Sequence, residues 1–153
     1  MIGCPCGNQP SGPGRGCDNS AGSGGAALSA AGAAYLTQDT LTLTSTGELP
    51  TATSIFLQGT GPIAGGAVFG QGVRCAGGVL KRLYVESASG GVASAPAPGD
   101  PSVSARSAAL GDPIAPGQSR WLLVYYRDPV VLGGCPAAST FNATQTGVVE
   151  WSP

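Results

Sequence analysis

Turn-forming residues divide this chain into short apolar segments, and this spacing is the strongest constraint on its fold. The sequence holds 26 glycines and 13 prolines among 153 residues. They separate apolar runs that recur about every 8–14 residues, a spacing typical of a β-sandwich or β-barrel. We therefore predict an all-β fold, an antiparallel β-sandwich of about eight strands that resembles a jelly roll.

Apolar and polar residues alternate within several of these runs, as expected for strands that bury one face. The segment DTLTLTS (39–45) places Leu41 and Leu43 on one face and threonines on the other. The segment SRWLLVYYR (119–127) is apolar on both faces, which predicts a central strand. Further strands are predicted at 26–34, 53–58, 66–70, 79–86 and 101–108, and a closing hairpin is predicted from 139–144 and 147–151.

The first part of the chain differs in composition from the rest. Residues 1–25 are rich in cysteine, glycine and proline and show no apolar period, which predicts a disulfide-tied N-terminal cap or linker. Residues 26–153 are predicted to form the β-sandwich domain. Within this domain, residues 87–101 read as a long loop that prolines stiffen towards polyproline II.

The five cysteines favour a disulfide framework in an oxidising compartment, because the chain combines them with few charges and no histidine. Reduced thiols in a cytosolic protein and a zinc site are the alternatives, but Cys4 and Cys6 have only one residue between them. The same short spacing would strain a Cys4–Cys6 bond. We predict that Cys6 pairs with Cys17 and Cys75 with Cys135, so that Cys4 stays unpaired or forms an intermolecular bond.

The N-terminal residues lack the basic and apolar regions of a signal peptide. If the protein is secreted, we expect this chain to be a mature or truncated form. No apolar run approaches the roughly 18 residues of a membrane-spanning helix, so no transmembrane segment is predicted. The predicted location is extracellular or on the cell surface.

Charge and composition exclude several classes of function. Without histidine, the chain has no histidine base or histidine metal ligand of its own. Seven scattered basic residues make no footprint for nucleic acid, and no nucleotide-binding loop or other cofactor motif occurs. We therefore predict a protein that is not an enzyme, needs no cofactor and binds no nucleic acid.

Three of the eight acidic residues, Asp100, Asp112 and Asp128, precede a proline. This position is typical of aspartates that start a turn, and we favour that structural role. Two alternatives remain open. The same side chains are candidate calcium ligands, and two converging carboxylates would serve a glycoside hydrolase.

Four aromatic residues are the candidates for a ligand-binding surface: Trp121, Tyr125, Tyr126 and Trp151. If they point outward, they would form a stacking platform for a glycan. We favour a place in the sandwich core instead, because a sandwich of this size needs large apolar side chains.

A series of short blocks carries a resemblance to a known group of sequences. In order they are CPCGN (4–8), GRGCDNS (14–20), SIFLQGT (54–60), FGQGVRCAGG (69–78), GDPSVSARSA (99–108), YYRDP (125–129) and TFNATQ (140–145). This order resembles a domain of unknown function in predicted secreted proteins of planctomycetes and myxobacteria-like bacteria. The resemblance implies secretion and a β-rich domain. It also implies a further cysteine ahead of the CPCGN block, which would bring the count to six.

Together these features predict a non-catalytic, secreted structural or adhesive module. Its expected partners are copies of itself or other cell-surface components, since low charge reduces repulsion between copies. Edge strands and the N-terminal segment would allow assembly by strand addition. A carbohydrate-binding module is the first alternative, and a carboxylate-dependent glycoside hydrolase is the second.

Overall fold

The computed structural model describes residues 1–135 and 139–153 and places ten strands and one short helix in them. Every strand pair in its three sheets is antiparallel. The elements in chain order are β1 (Ala27–Ala31), β2 (Ala34–Tyr35), β3 (Gln38–Asp39), β4 (Thr42–Thr46), β5 (Thr53–Phe69), β6 (Gly72–Ser87), β7 (Ala93–Ala95), α1 (Val103–Ala109), β8 (Ser119–Arg127), β9 (Phe141–Ala143) and β10 (Gly147–Glu150).

Two sheets face each other across one apolar core. The first has five strands in the order β10–β8–β5–β6, with β9 also paired to β8, and the second has the order β1–β4–β7. Leu43 of β4 and Phe56 of β5 are both 1% exposed and belong to the same buried cluster. The alternation of segment 39–45 therefore buries its leucines as predicted, and the all-β sandwich with antiparallel sheets is confirmed.

Strand β8 is the central strand that its sequence predicts. It pairs with β5 along one edge and with β9 and β10 along the other. Leu122 and Val124 point into the main core, whereas Leu123 belongs to a second, smaller cluster with Leu57 and Ala143. Both faces of β8 are thus covered, which explains why its sequence does not alternate.

The second cluster forms because the long β5–β6 hairpin folds back over its own sheet. Tyr125 pairs with Ile55 in the sheet, yet its ring lies 5.2 Å from the ring of Phe69. A straight strand would separate Ile55 from Phe69 by about 45 Å. Shifts in register near Gly59 and Gly61 mark the bend, because bulges and glycines allow a strand to turn sharply. The predicted strands 53–58 and 66–70 are therefore two parts of one bent strand.

Three predictions about local structure are wrong. The predicted loop 87–101 contains strand β7, which pairs with β4. Segment 101–108, predicted as a strand, forms most of helix α1. Ser102 caps the N-terminus of the helix by accepting a hydrogen bond from Ala105 N at 3.3 Å. Segments 139–144 and 147–151 do not pair with each other as a hairpin. Instead β9 and β10 follow one another along the same edge of β8, so each segment takes its hydrogen bonds from β8.

Residues 1–25 contain no strand and are held on the sandwich by buried amide side chains. Asn19 Nδ2 donates to the hydroxyl of Tyr126 at 3.0 Å, and Asn142 Nδ2 donates to Asp18 O at 2.8 Å. Each such bond contributes about 0.5–1.5 kcal/mol, and removing one partner would leave a buried polar group unsatisfied. The N-terminal segment is therefore part of the folded structure.

Candidate functional site

The disulfides connect the N-terminal segment in a different pattern from the predicted one. The bonds are Cys4–Cys17 and Cys6–Cys135, and within the described residues Cys75 is the free cysteine. A disulfide-tied N-terminal segment is confirmed, but the predicted partners of Cys6 and Cys75 and the unpaired state of Cys4 are wrong.

Gln71, in the turn between β5 and β6, explains why Cys6 meets Cys135. Its main-chain oxygen lies 3.8 Å from Cys6 Sγ, and its side-chain Oε1 accepts a hydrogen bond from Leu132 N at 3.0 Å. One residue thus brings the N-terminal segment and the turn before Cys135 to the same place. Sequence spacing carries no signal for this contact, since the two cysteines are 129 residues apart.

Cys75 lies instead at an apolar groove of about 430 Å³ between the N-terminal residues and the sheet. Its Sγ is 3.6 Å from Met1 Sδ. Trp121 lines the same groove together with apolar side chains that include Ile2 and Val148. We call this the Trp121 groove.

The four aromatic candidates do not form one platform. Tyr126 and Trp151 are 1% and 0% exposed and belong to the sandwich core, so neither can stack on a glycan. Tyr125 packs edge to face against two phenylalanines at the second cluster. Trp121 lines the groove described above.

Polar side chains around the Trp121 groove are largely engaged within the protein. Gln145 accepts from Leu28 N at 2.9 Å and donates to Leu28 O at 2.7 Å. The hydroxyl of Thr146 accepts from Cys75 N at 3.2 Å. Because these groups already form hydrogen bonds within the protein, a ligand in the groove would make mainly apolar contacts.

The three proline-linked aspartates lie apart, each with its own partners. Asp100 accepts from Ala97 N at 3.3 Å, and Asp128 accepts from the main chain and hydroxyl of Ser20. Asp112 forms a salt bridge with Arg120. Among residues 1–135 and 139–153 no group of three or more ligands is placed to hold a metal ion. The structure therefore does not bring the calcium candidates together, and their contacts fit the turn role.

Asp112 belongs to a buried polar cluster between the sheet and α1. Arg120 donates to it through both Nη2, at 2.8 Å, and Nε, at 2.9 Å. Gln58 Nε2 donates to Asp112 Oδ2 at 2.9 Å and to the hydroxyl of Ser107 at 2.7 Å. Through the bond from Gln58 to Ser107, the cluster holds α1 on the sheet.

Glu48 is a buried acid that the sequence does not single out. It is 4% exposed, and burial raises the pKa of its carboxyl above the ordinary value. The hydroxyl of Ser54 donates to Oε2, but Oε1 has no hydrogen-bond partner. The cost of burying a charge beside an unpartnered oxygen outweighs the lowering effect of the Ser54 hydrogen bond, so the net shift of the pKa is upward.

We expect Glu48→Gln to stabilise the protein increasingly as pH rises above the ordinary pKa of glutamate. Between that pKa and the raised pKa of the folded state, the folded wild type holds a proton that the unfolded chain has lost, so its free energy of unfolding falls with pH. The amide has no charge to bury. Urea unfolding at several pH values measures this, with the exposed residue change Glu150→Gln as control. Parallel pH profiles for wild type and Glu48→Gln would contradict it.

The second groove runs along β6, the outermost strand of the five-stranded sheet. It has a volume of about 410 Å³ and is lined on one side by the consecutive residues 82–86. Asp100, Pro101 and Arg106 line the other side. We call this the β6 groove and regard it as the candidate functional site.

Charged groups of both signs surround the β6 groove. Arg82 and Asp100 are exposed, and Glu86 and Arg106 are half-buried. In the described part of the chain none of the four takes part in a salt bridge. Of these four residues, only Asp100 was named from the sequence, as a calcium candidate. The groove exists because β6 is an edge strand, and the sequence does not reveal the order of strands in the sheet.

No protein-family model, curated protein or solved structure matches the chain significantly. No helix in the described part of the chain is long and apolar enough to cross a membrane.

Proposed function

We propose that the protein is a non-catalytic extracellular module with a structural or adhesive role at the cell surface, and that it associates with copies of itself. The open edge of β6 is the observation that carries this proposal. An unpaired strand edge offers main-chain donors and acceptors to a further strand. With a net charge of −1, copies repel one another only weakly.

The disulfides support the extracellular part of the proposal. Two bonds hold the N-terminal segment, and stable disulfides form and persist mainly in oxidising compartments. The acids support the non-catalytic part. Asp112, Asp128 and Glu48 are engaged in structural hydrogen bonds rather than held free in a groove.

Sedimentation velocity over roughly three decades of concentration around the micromolar range tests the self-association. We expect the mean sedimentation coefficient to rise with concentration. A monomer at every concentration would contradict self-association.

Glycan binding at the Trp121 groove is the second candidate, because Trp121 lines this groove whereas Tyr126 and Trp151 are buried in the core. A glycan array probed with the folded protein and with Trp121→Ala tests it. Binding by the wild type that Trp121→Ala abolishes would favour this candidate.

The hydrolase alternative depends on Glu86 and Asp100, which line the same groove. Cleavage of arrayed glycans by the wild type, lost in Glu86→Gln and Asp100→Asn, would contradict a non-catalytic role. We expect no cleavage, because Arg82 and Arg106 line the groove beside the acids and can balance their charge.

A further inference from the structure

We propose that two copies of the chain pair antiparallel along their β6 strands, around a two-fold axis that passes through Tyr84. The inference rests on the self-association proposed above and assigns it to one edge and one register. In this arrangement the five-stranded sheet of one copy continues into that of the other. Two-fold pairing is the commonest symmetry of protein dimers.

The lining of the β6 groove shows that the edge of β6 is accessible. Successive side chains of a strand point to opposite faces of the sheet. Five consecutive residues, 82–86, can line a single groove only where that groove follows the edge of the strand. The opposite edge of β6 is occupied by β5, and no described strand occupies this one.

Hydrogen bonds across the groove show that main-chain atoms of β6 face it. Arg106 Nε donates to Leu83 O at 2.8 Å, so this carbonyl is directed away from the sheet interior. Tyr84 donates through its hydroxyl to Pro101 O at 2.7 Å, so the side chain of Tyr84 links β6 to the segment across the groove. Leu83 O is already engaged by Arg106, so a further strand would pair with this carbonyl by replacing the Arg106 contact.

The charges along β6 select a second copy of the same strand as the partner. Arg82 and Glu86 lie symmetrically about Tyr84 in the sequence. Antiparallel pairing around Tyr84 places Arg82 of each copy opposite Glu86 of the other, which forms two attractive cross-strand pairs. Since neither side chain has a salt bridge in the described part of the isolated chain, both are available.

Other features of this edge restrict pairing with unrelated strands. The pairing of β5 with β6 shifts register beside Leu83, where Phe56 is opposite Tyr84 and Leu57 is opposite Arg82. Bulges and charged side chains are the common devices by which edge strands avoid indiscriminate pairing. A partner must then match both the local twist and the charge order, and an identical β6 matches the charge order by symmetry.

A charge exchange tests the register. We expect Arg82→Glu and Glu86→Arg each to raise the dimer dissociation constant about tenfold or more, because each turns two attractive pairs into two repulsive ones. The double variant restores both attractive pairs in reversed order, so its dissociation constant should return close to the wild-type value. Sedimentation equilibrium provides the measurement, and circular dichroism checks that each variant is folded.

The controls make the same changes in charge at exposed positions on other strands, Arg127→Glu on β8 and Glu150→Arg on β10. The β6 register would be overturned if neither single change raised the dissociation constant, or if the double variant had a higher dissociation constant than either single variant. Either result would leave self-association itself in place. A monomeric wild type would overturn the self-association itself. Hydrogen exchange gives a second readout, since the amides of residues 82–86 should exchange more slowly as concentration rises.

Discussion

Replacing Arg120 by methionine is expected to lower the free energy of unfolding by about 3–5 kcal/mol. Arg120 is 5% exposed and donates two hydrogen bonds to Asp112. Without the guanidinium, the carboxylate remains in a site from which water is largely excluded, with only the neutral groups of Gln58 and Ser107 beside it. The loss therefore reflects an uncompensated buried charge more than a missing contact.

Urea unfolding followed by tryptophan fluorescence measures this loss, and Arg127→Met serves as a control at an exposed arginine. The double change Asp112→Leu with Arg120→Met removes both charges, so we expect it to recover part of the stability. If the double variant were less stable than Arg120→Met alone, the explanation by an unpaired charge would be wrong.

Loss of the Cys6–Cys135 disulfide is the second large effect that we expect. Its bond closes a far longer loop than Cys4–Cys17, with sequence separations of 129 and 13. Restriction of the unfolded chain predicts a cost of about 4–5 kcal/mol for Cys6→Ala with Cys135→Ala and about 3 kcal/mol for Cys4→Ala with Cys17→Ala.

Urea unfolding of the two double variants under non-reducing conditions tests the order of these effects. Cys75→Ala is the matched control, because it removes a cysteine without removing a disulfide. Peptide mapping of the unreduced wild type should find Cys75 as a thiol. A disulfide-linked peptide that contains Cys75, or equal losses in the two double variants, would contradict the assignment.

Local patterns in the sequence predict the parts of the fold that depend on neighbouring residues. The alternation around Leu41 and Leu43 places both in the core, and the apolar run at 119–127 identifies the central strand. Strand 26–34 is also found, as β1 at Ala27–Ala31 with β2 beginning at Ala34. Small and β-branched residues suit these strands because one face of each strand packs against a neighbouring layer.

Contacts between distant residues explain the predictions that were wrong. The ring of Phe69 reaches Tyr125 only because β5 bends back, and bulges leave little trace in the pattern of apolar residues. Cys6 meets Cys135 through Gln71, which no spacing rule selects. The alternation in segment 101–108 resembles a strand, but the proline and the capping serine at its start begin a helix.

The candidate site was less predictable than the fold, since the edge of β6 forms one side of it and residues 100–106 form the other. Arg82 and Glu86 are ordinary charged residues in the sequence of β6. Their importance depends on which strand lies outermost in the sheet, and on α1 bringing Arg106 to the same groove. Neither property follows from local alternation.

The Cys6–Cys135 bond also determines how the protein would respond to mechanical force applied at its two ends. Tension would pass through the covalent bridge, so the residues between Cys6 and Cys135 would bear none of it. Only the short stretches outside the bridge could be drawn out, to roughly 80 Å in total, whereas the unbridged chain could extend to about 500 Å. Single-molecule pulling would therefore show a short extension under oxidising conditions and a several-fold longer one after reduction.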